Sequence, residues 1–307
     1  MSADQIPEFI DRLYREGAAI GEDGVAYPLG GLALTRERGR FLRDLCHREG
    51  ARTVLEIGMA YGLATLWLAE ALVGNGAAPG AHVVVDPFQT AQFHRAALNS
   101  IRTLGLAMMV EFHEEFSAYA LPLMAHEGRA FDLVFIDGSH RFDDVFVDLF
   151  FAHKLLKPGG LMVFDDTWSD SIFLACRYLE TNYTYELIAT QPPPRTGRKR
   201  RRLYRGQMRA YRKLAETRER GRFDLVPFYD DFTTGNNEGH RLRGAGMLAL
   251  RAGDTTAARQ AFRSALRLNP RRFKNYLRYF RTFLPAGLAR ALSGRSAQPA
   301  SGKRQNA

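Results

Sequence analysis

The side chains able to do chemistry in this chain are carboxylates and one histidine, placed where apolar runs stop. Asp86 follows the run His82–Val85, Asp137 follows residues 133–136, and Asp165 and Asp166 follow residues 161–164. Glu56 stands inside the run Val54–Ile57, just ahead of Gly58. If these runs are neighbouring strands, the acids converge on one rim. Asp137, Asp165 and Asp166 would then repel one another strongly unless a cation or a proton relieved them. Hard oxygen ligands suit Mg²⁺, which keeps waters and leaves room for substrate oxygens. Such an ion would hold a hydroxyl, lower its pKa and orient the oxyanion. His140, three residues after Asp137, titrates near neutrality and suits the acceptance of a hydroxyl proton. The same residues admit structural roles. Asp165 or Asp166 can cap the following segment, Asp137 can face cofactor or solvent alone, and His140 can bond backbone.

Something must bring those groups together, and the hydropathy pattern says what. Short apolar runs near residues 53–57, 82–85, 109–112, 133–136 and 161–164 alternate with stretches of helical periodicity. That alternation predicts an α/β fold with a doubly wound, mostly parallel sheet covered on both faces. Ligands bind such sheets outside the carboxyl ends of the strands, where these acids fall. The first run leads into Gly58-Met59-Ala60-Tyr61-Gly62. Glycines there let the backbone approach a ligand and turn tightly into a helix. A dinucleotide site would use G-x-G-x-x-G, whereas the spacing here is E-x-G-x-x-x-G, which argues against a nicotinamide-dependent oxidoreductase. Asp86 is placed to accept both hydroxyls of a ribose. Upstream, Ile6, Ile10 and Leu13 recur at helical spacing, and Thr35 can cap a second helix that buries Phe41, Leu42, Leu45 and Cys46.

Four segments occur in one order: the loop 54–62, Asp86, the run ending Asp137-Gly138-Ser139-His140, and Leu156-Lys157-Pro158-Gly159-Gly160 ahead of Asp165-Asp166. In this order they resemble class I S-adenosylmethionine-dependent methyltransferases. Within that superfamily residues 28–190 are similar to the O-methyltransferase-like group that includes relatives of catechol O-methyltransferase. The resemblance implies a seven-stranded, Rossmann-like sheet and S-adenosyl-L-methionine held by Glu56, Gly58, Tyr61, Gly62, Asp86, Ser117 and Asp137. It implies Mg²⁺ on Asp137, Asp165 and Asp166, with Asp166 standing where the group often has asparagine. His140 takes the place of a lysine assigned as base in the catechol enzyme, so Asp137 and His140 are the expected catalytic pair. Residues 29–35 are expected to lie over the cofactor. Tyr61, Phe88, Phe116 and Trp168 are aromatic candidates for the pocket wall, although aromatics near strand ends are more often core.

Composition divides the chain. Residues 1–194 hold 26 Asp/Glu against 15 Lys/Arg, and residues 195–307 hold 7 against 28. The expected organisation is a methyltransferase domain over 1–194 and a basic linker or helix over 195–236. A helical hairpin over 237–292 and a disordered tail over 293–307 follow. Within the hairpin, Leu242, Ala245, Gly246, Ala258, Phe262, Ala265 and Pro270 match one tetratricopeptide-like unit, too few for a solenoid. The expected acceptor is a small-molecule or glycan hydroxyl. The basic stretch 195–222 motivates a rival, an RNA or DNA methyltransferase. Residues 137–140 lack the proline-aromatic pattern of base-amino methylation, however, and neither Cys46 nor Cys176 is placed for carbon methylation. A second rival is a non-catalytic adaptor. Its stretch 276–292 interleaves arginines with aromatics and could contact an anionic membrane surface. The polar amino-terminal residues and the two cysteines fit a cytoplasmic protein, and the oligomeric state stays open.

Overall fold

A computed structural model describes residues 5–191 and 207–214, and, towards the carboxyl terminus, 242, 245–250, 252–268, 276, 279–280 and 282–283. Contacts divide the chain into two units, Met1–Phe228 and Tyr229–Ala307.

In the first unit, helix α1 (Gln5–Glu16) buries Ile6, Ile10 and Leu13 along one stripe. A hairpin of β1 (Ala18–Ile20) and β2 (Ala26–Pro28) follows. Helix α2 (Arg36–Arg48) starts at Thr35, whose hydroxyl accepts the Arg38 N–H. Strands and helices then alternate: β3 (Val54–Ile57), α3 (Leu63–Gly74), β4 (His82–Val85), α4 (Ala96–Thr103), β5 (Val110–His113), α5 (Ser117–His126), β6 (Phe131–Ile136), α6 (Phe142–Leu155), β7 (Leu156–Phe164) and α7 (Asp170–Asn182). Strands β8 (Tyr185–Gln191) and β9 (Met208–Lys213) close the unit.

The seven strands lie in the order β5-β4-β3-β6-β7-β9-β8, parallel except for β9, which runs antiparallel to both neighbours. Alternate residues of β3, β4, β6 and β7 face opposite layers, as the pleat requires. Val54, Val84, Leu133 and Phe135 pack with α1–α4, while Leu55, Val83, Val134 and Met162 pack with α5–α7. Chain order reverses between β3 and β6, and such a switch point opens a crevice at the strand ends.

Two expectations change here. Strand β9 lies inside the stretch read as a basic linker, so the sheet extends past residue 194. Its basic residues are used internally: Arg209 donates to Glu180, Arg212 to Glu49, and Lys213 Nζ to the carbonyls of His153 and Leu156 at 2.9 and 2.6 Å. The Leu156-Lys157-Pro158-Gly159-Gly160 segment is also not a separate turn. It begins β7 and shifts the β6–β7 register, so that Phe131 faces Leu156 but Leu133 faces Leu161.

Close packing under the crevice depends on Gly39. A Cβ there would lie 2.0 Å from Trp67 Nε1. That nitrogen donates to the Tyr14 hydroxyl at 3.2 Å, which donates to the Leu34 carbonyl at 2.7 Å. Gly39→Ala is expected to cost about 1–3 kcal/mol by overpacking the α2–α3 contact, read as a lower midpoint in thermal melts.

In the second unit, helical residues 245–250 face helix Thr255–Leu268, and Leu250, Ala258 and Phe262 form a small core. A Cβ on Gly246 would meet the Phe262 ring at 2.6 Å, so the two helices touch through a position without a side chain. Among the described residues no helix is long and apolar enough to cross a membrane. Residues 195–206, 215–236 and 293–307 lie outside the described residues, as does most of 276–292.

Candidate active site

The glycine bend after β3 is built around Asp86. One oxygen of Asp86 accepts the N–H groups of Met59 and Ala60 at 2.8 and 2.9 Å, and the other accepts that of Phe88 at 2.8 Å. Ala60 adopts φ +47, a conformation that a non-glycine residue holds only when its surroundings over-determine it. Here Gln89 Nε2 donates to the Ala60 carbonyl at 2.7 Å while Asp86 takes the amide. Gly62, at φ +80, turns the chain into α3. The bend forms one wall of a cavity of about 760 Å³ at the switch point.

Gly58, Tyr61, Asp86, Ser117, Asp137 and His140 all line this cavity. The aromatics Phe88, Phe116 and Trp168 line it too, together with residues 31–34 from the segment ahead of α2. Glu56 does not reach it. It is fully buried, accepts the Thr65 hydroxyl at 3.0 Å and pairs with His82 Nε2 at 2.8 Å. Burial pushes its carboxyl up, against the pull of His82. Glu56, expected from the sequence among the cofactor-holding residues, lies beneath the bend and locks β3 to β4 and α3.

The acids after β6 and β7 separate in the same way. Asp165 is completely buried. Its Oδ2 accepts Arg38 Nη1 at 2.6 Å, while Oδ1 accepts Gln207 Nε2 at 3.1 Å and the Asp166 N–H at 2.6 Å. Burial raises its carboxyl to about 6, with Arg38 opposing. Asp166 turns the other way, at φ +49. Its Oδ1 accepts Trp168 Nε1 at 2.7 Å and a short bond from Gln207, and its Oδ2 meets His140 Nε2 at 3.2 Å. Burial would raise Asp166, but these bonds and Arg38 hold it below the ordinary carboxylate value. Asp137 faces the cavity yet is densely surrounded by protein, so burial first, and then Asp165 and Asp166, push its carboxyl well up. His140 is raised by its bond to Asp166, with burial pulling the other way.

One ligand atom each from Asp137, His140 and Asp166 lies within 4.8 Å of the others. Asp165, the third acid of the expected ligand triplet, is not in that group, because its carboxylate is taken up by Arg38 and Gln207. The donor set still fits a divalent cation. Two carboxylate oxygens converge, and the burial and neighbouring acids that push the Asp137 carboxyl up are a penalty a divalent cation would relieve. Arg38 and Gln207 escaped sequence reasoning, because Arg38 stands 127 residues from its partner Asp165. Cys46 and Cys176 are free, buried and absent from the cavity wall.

Strand order, the bend at Gly58 and the acid-lined crevice define a Rossmann-like α/β fold of the methyltransferase type. Residues 55–167 match a family profile described as a methyltransferase domain. The chain is 33% identical over 135 residues to a catechol O-methyltransferase of Mycobacterium tuberculosis, covering 44% of this chain and 57% of that protein. It is 30% identical over 141 residues to one of Niastella koreensis, covering 45% and 60%. The chain thus spans little more than half the length of these relatives. Among solved structures it is similar to the O-methyltransferase TomG of Streptomyces achromogenes, at 22% identity and TM-score 0.49, over 69% of this chain and 90% of that one.

Proposed function

We propose that this chain transfers the methyl group of S-adenosyl-L-methionine to a hydroxyl oxygen of a small molecule or glycan. The observation that carries the reading is the placement of Asp137 and the His140–Asp166 pair on the wall of the cavity that the Gly58 bend and Asp86 open. The chemistry needs an acceptor oxygen, the methyl carbon and sulfur in line, and holding them so supplies much of the acceleration. The O–CH₃ bond forms as the S–CH₃ bond breaks, and the electron pair stays on sulfur to give S-adenosylhomocysteine.

The hydroxyl proton goes to His140. With Nε2–H against Asp166, the lone pair remains on Nδ1, and the carboxylate steadies the imidazolium that forms. Asp137 and Asp166 would hold Mg²⁺, which when bound supplies a Lewis-acid contact that makes the hydroxyl more acidic. Arg38 neutralises Asp165 and so keeps a third negative charge from the rim. Residues 31–34 cover the crevice and help to exclude water. A cytoplasmic setting goes with this reading, supported by two free, buried thiols.

Isothermal titration of the full chain with S-adenosylhomocysteine is expected to give a saturable one-site isotherm, and no heat would remove the reading. With an accepted hydroxyl substrate, turnover is expected to vanish in EDTA and return on Mg²⁺ addition. Chelator-insensitive turnover would reject the metal role alone.

A further inference from the structure

Beyond the charged cluster, the cavity has a second polar group that the reaction does not use. Asp148, on α6, is 1% exposed and lines the cavity. Among the described residues that line it, Asp148 Oδ1 is the buried side-chain polar atom with no hydrogen-bond partner. An unmet buried acceptor costs about 1–3 kcal/mol, so such an atom calls for an explanation. Ser117, the first residue of α5, lies beside the same carboxyl and pulls its titration down against burial, and α5 packs on α6. Burial raises Asp148 to about 6, so near pH 7.5 it is mostly an acceptor-only carboxylate.

We propose that Asp148 accepts a hydrogen bond from the exocyclic amino group of the purine and so selects an adenine nucleoside. The inference rests on the methyltransferase reading above and adds a specificity determinant to it. Its geometry follows from the strand order. Asp86, at the exit of β4, is placed for the ribose, and Asp137 and Asp166 occupy the reacting end at the exits of β6 and β7. Ser117 lies on the other side of Asp86, at the exit of β5, and Asp148 meets it across the α5–α6 contact. A base attached to that ribose extends towards this pair. Phe88 and Phe116, both on the cavity wall with ring centroids 5.8 Å apart and edge to face, give the flat ring apolar walls. A Cβ on Gly138 would stand 3.8 Å from Asp148 Oδ2, so the carboxylate lies against the loop after β6. The methionine carboxylate is excluded from this end by charge, and a carbonyl at the purine 6-position would face Asp148 acceptor to acceptor.

The test is calorimetric titration of the full-length protein with S-adenosylhomocysteine and with S-inosylhomocysteine, whose 6-position carries oxygen. Wild type is expected to prefer the adenosyl compound by about tenfold or more, the scale of a hydrogen bond to a charged group. Asp148→Asn can turn its acceptor oxygen to the 6-amino group or its donor N–H to the 6-carbonyl, so the preference should shrink by about tenfold while the inosyl compound binds as well as before or better. The wild-type comparison stands even if the variant folds poorly. Binding of both compounds by wild type without preference overturns this inference alone. An equal loss of both in Asp148→Asn, with an intact melting transition, overturns it as well and makes Asp148 a packing residue. Wild type that binds neither compound overturns the methyltransferase reading, and this inference with it.

Discussion

Replacing His140 with glutamine is expected to lower turnover by about 10²–10⁴-fold, the usual contribution of a positioned general base. Affinity for S-adenosylhomocysteine should stay close to wild type, because His140 meets Asp166 rather than the glycine bend. The sign of the pH effect follows from the same bond. Asp166 stabilises the imidazolium and raises His140 above its ordinary 6.5. In the proposed mechanism the neutral ring is the base, so wild-type turnover should climb with pH through a value above 6.5 and then level off. The glutamine enzyme has no such group and should lose this limb. A His140→Gln enzyme with wild-type turnover and an unaltered profile between pH 6 and 9 would remove His140 from the chemistry.

How much of this site the sequence discloses depends on the distance over which each residue finds its partner. Residues 54–57, 82–85, 133–136 and 161–164 of β3, β4, β6 and β7 are buried on both faces, so each reads as a mostly apolar run that local inspection detects. The acids that end them are legible for the same reason. Strand β9 is not, because Met208-Arg209-Ala210-Tyr211-Arg212-Lys213 reads as part of a cationic stretch. Its burial depends on Glu180, Glu49 and two carbonyls contributed from elsewhere in the chain.

Glu56 misleads in the opposite direction. An acid just before a glycine bend looks available to a ligand, yet the pleat sends its side chain into the layer shared with α3. His82 waits there on the neighbouring strand, two ladder positions back from the Glu56–Val84 pair. Alternation along 54–57, set beside a histidine at the start of the next strand, is the signal that could have found this pair. The adjacent acids Asp165 and Asp166 show the same limit. Only the left-handed turn at Asp166 sends one carboxylate inward to Arg38 and the other towards His140. That split decides the electrostatics. Arg38 takes up the charge that would otherwise make three acids at one rim untenable, and Asp137 and Asp166 are left on the cavity wall.

The second large effect is expected at Gly58, with alanine as the substitution. Gly58 has φ +92, where an L side chain costs about 1–3 kcal/mol. The added Cβ would also lie 2.3 Å from the Asp137 carbonyl oxygen and 2.8 Å from Gly138 Cα. Neither neighbour is a flexible side-chain end. Both are backbone just past β6, where the Asp137 N–H already donates to the Ile57 carbonyl at 2.9 Å. Relief therefore requires the bend after β3 to move away from the end of β6, and the two form facing walls of the crevice. That motion would displace the Met59 and Ala60 amides from Asp86 and shift Asp137 relative to His140. Gly58→Ala should weaken S-adenosylhomocysteine binding by about 100-fold, or nearly 3 kcal/mol at 1.4 kcal/mol per tenfold. Turnover should fall further, because methyl transfer also needs the displaced carboxylate in register. Circular dichroism and a melting curve separate this from global unfolding: the variant is expected to keep its secondary structure with a lowered midpoint. Wild-type affinity in a folded Gly58→Ala protein would show that the bend does not approach the nucleoside, and the placement of the cofactor in this crevice would fall with it.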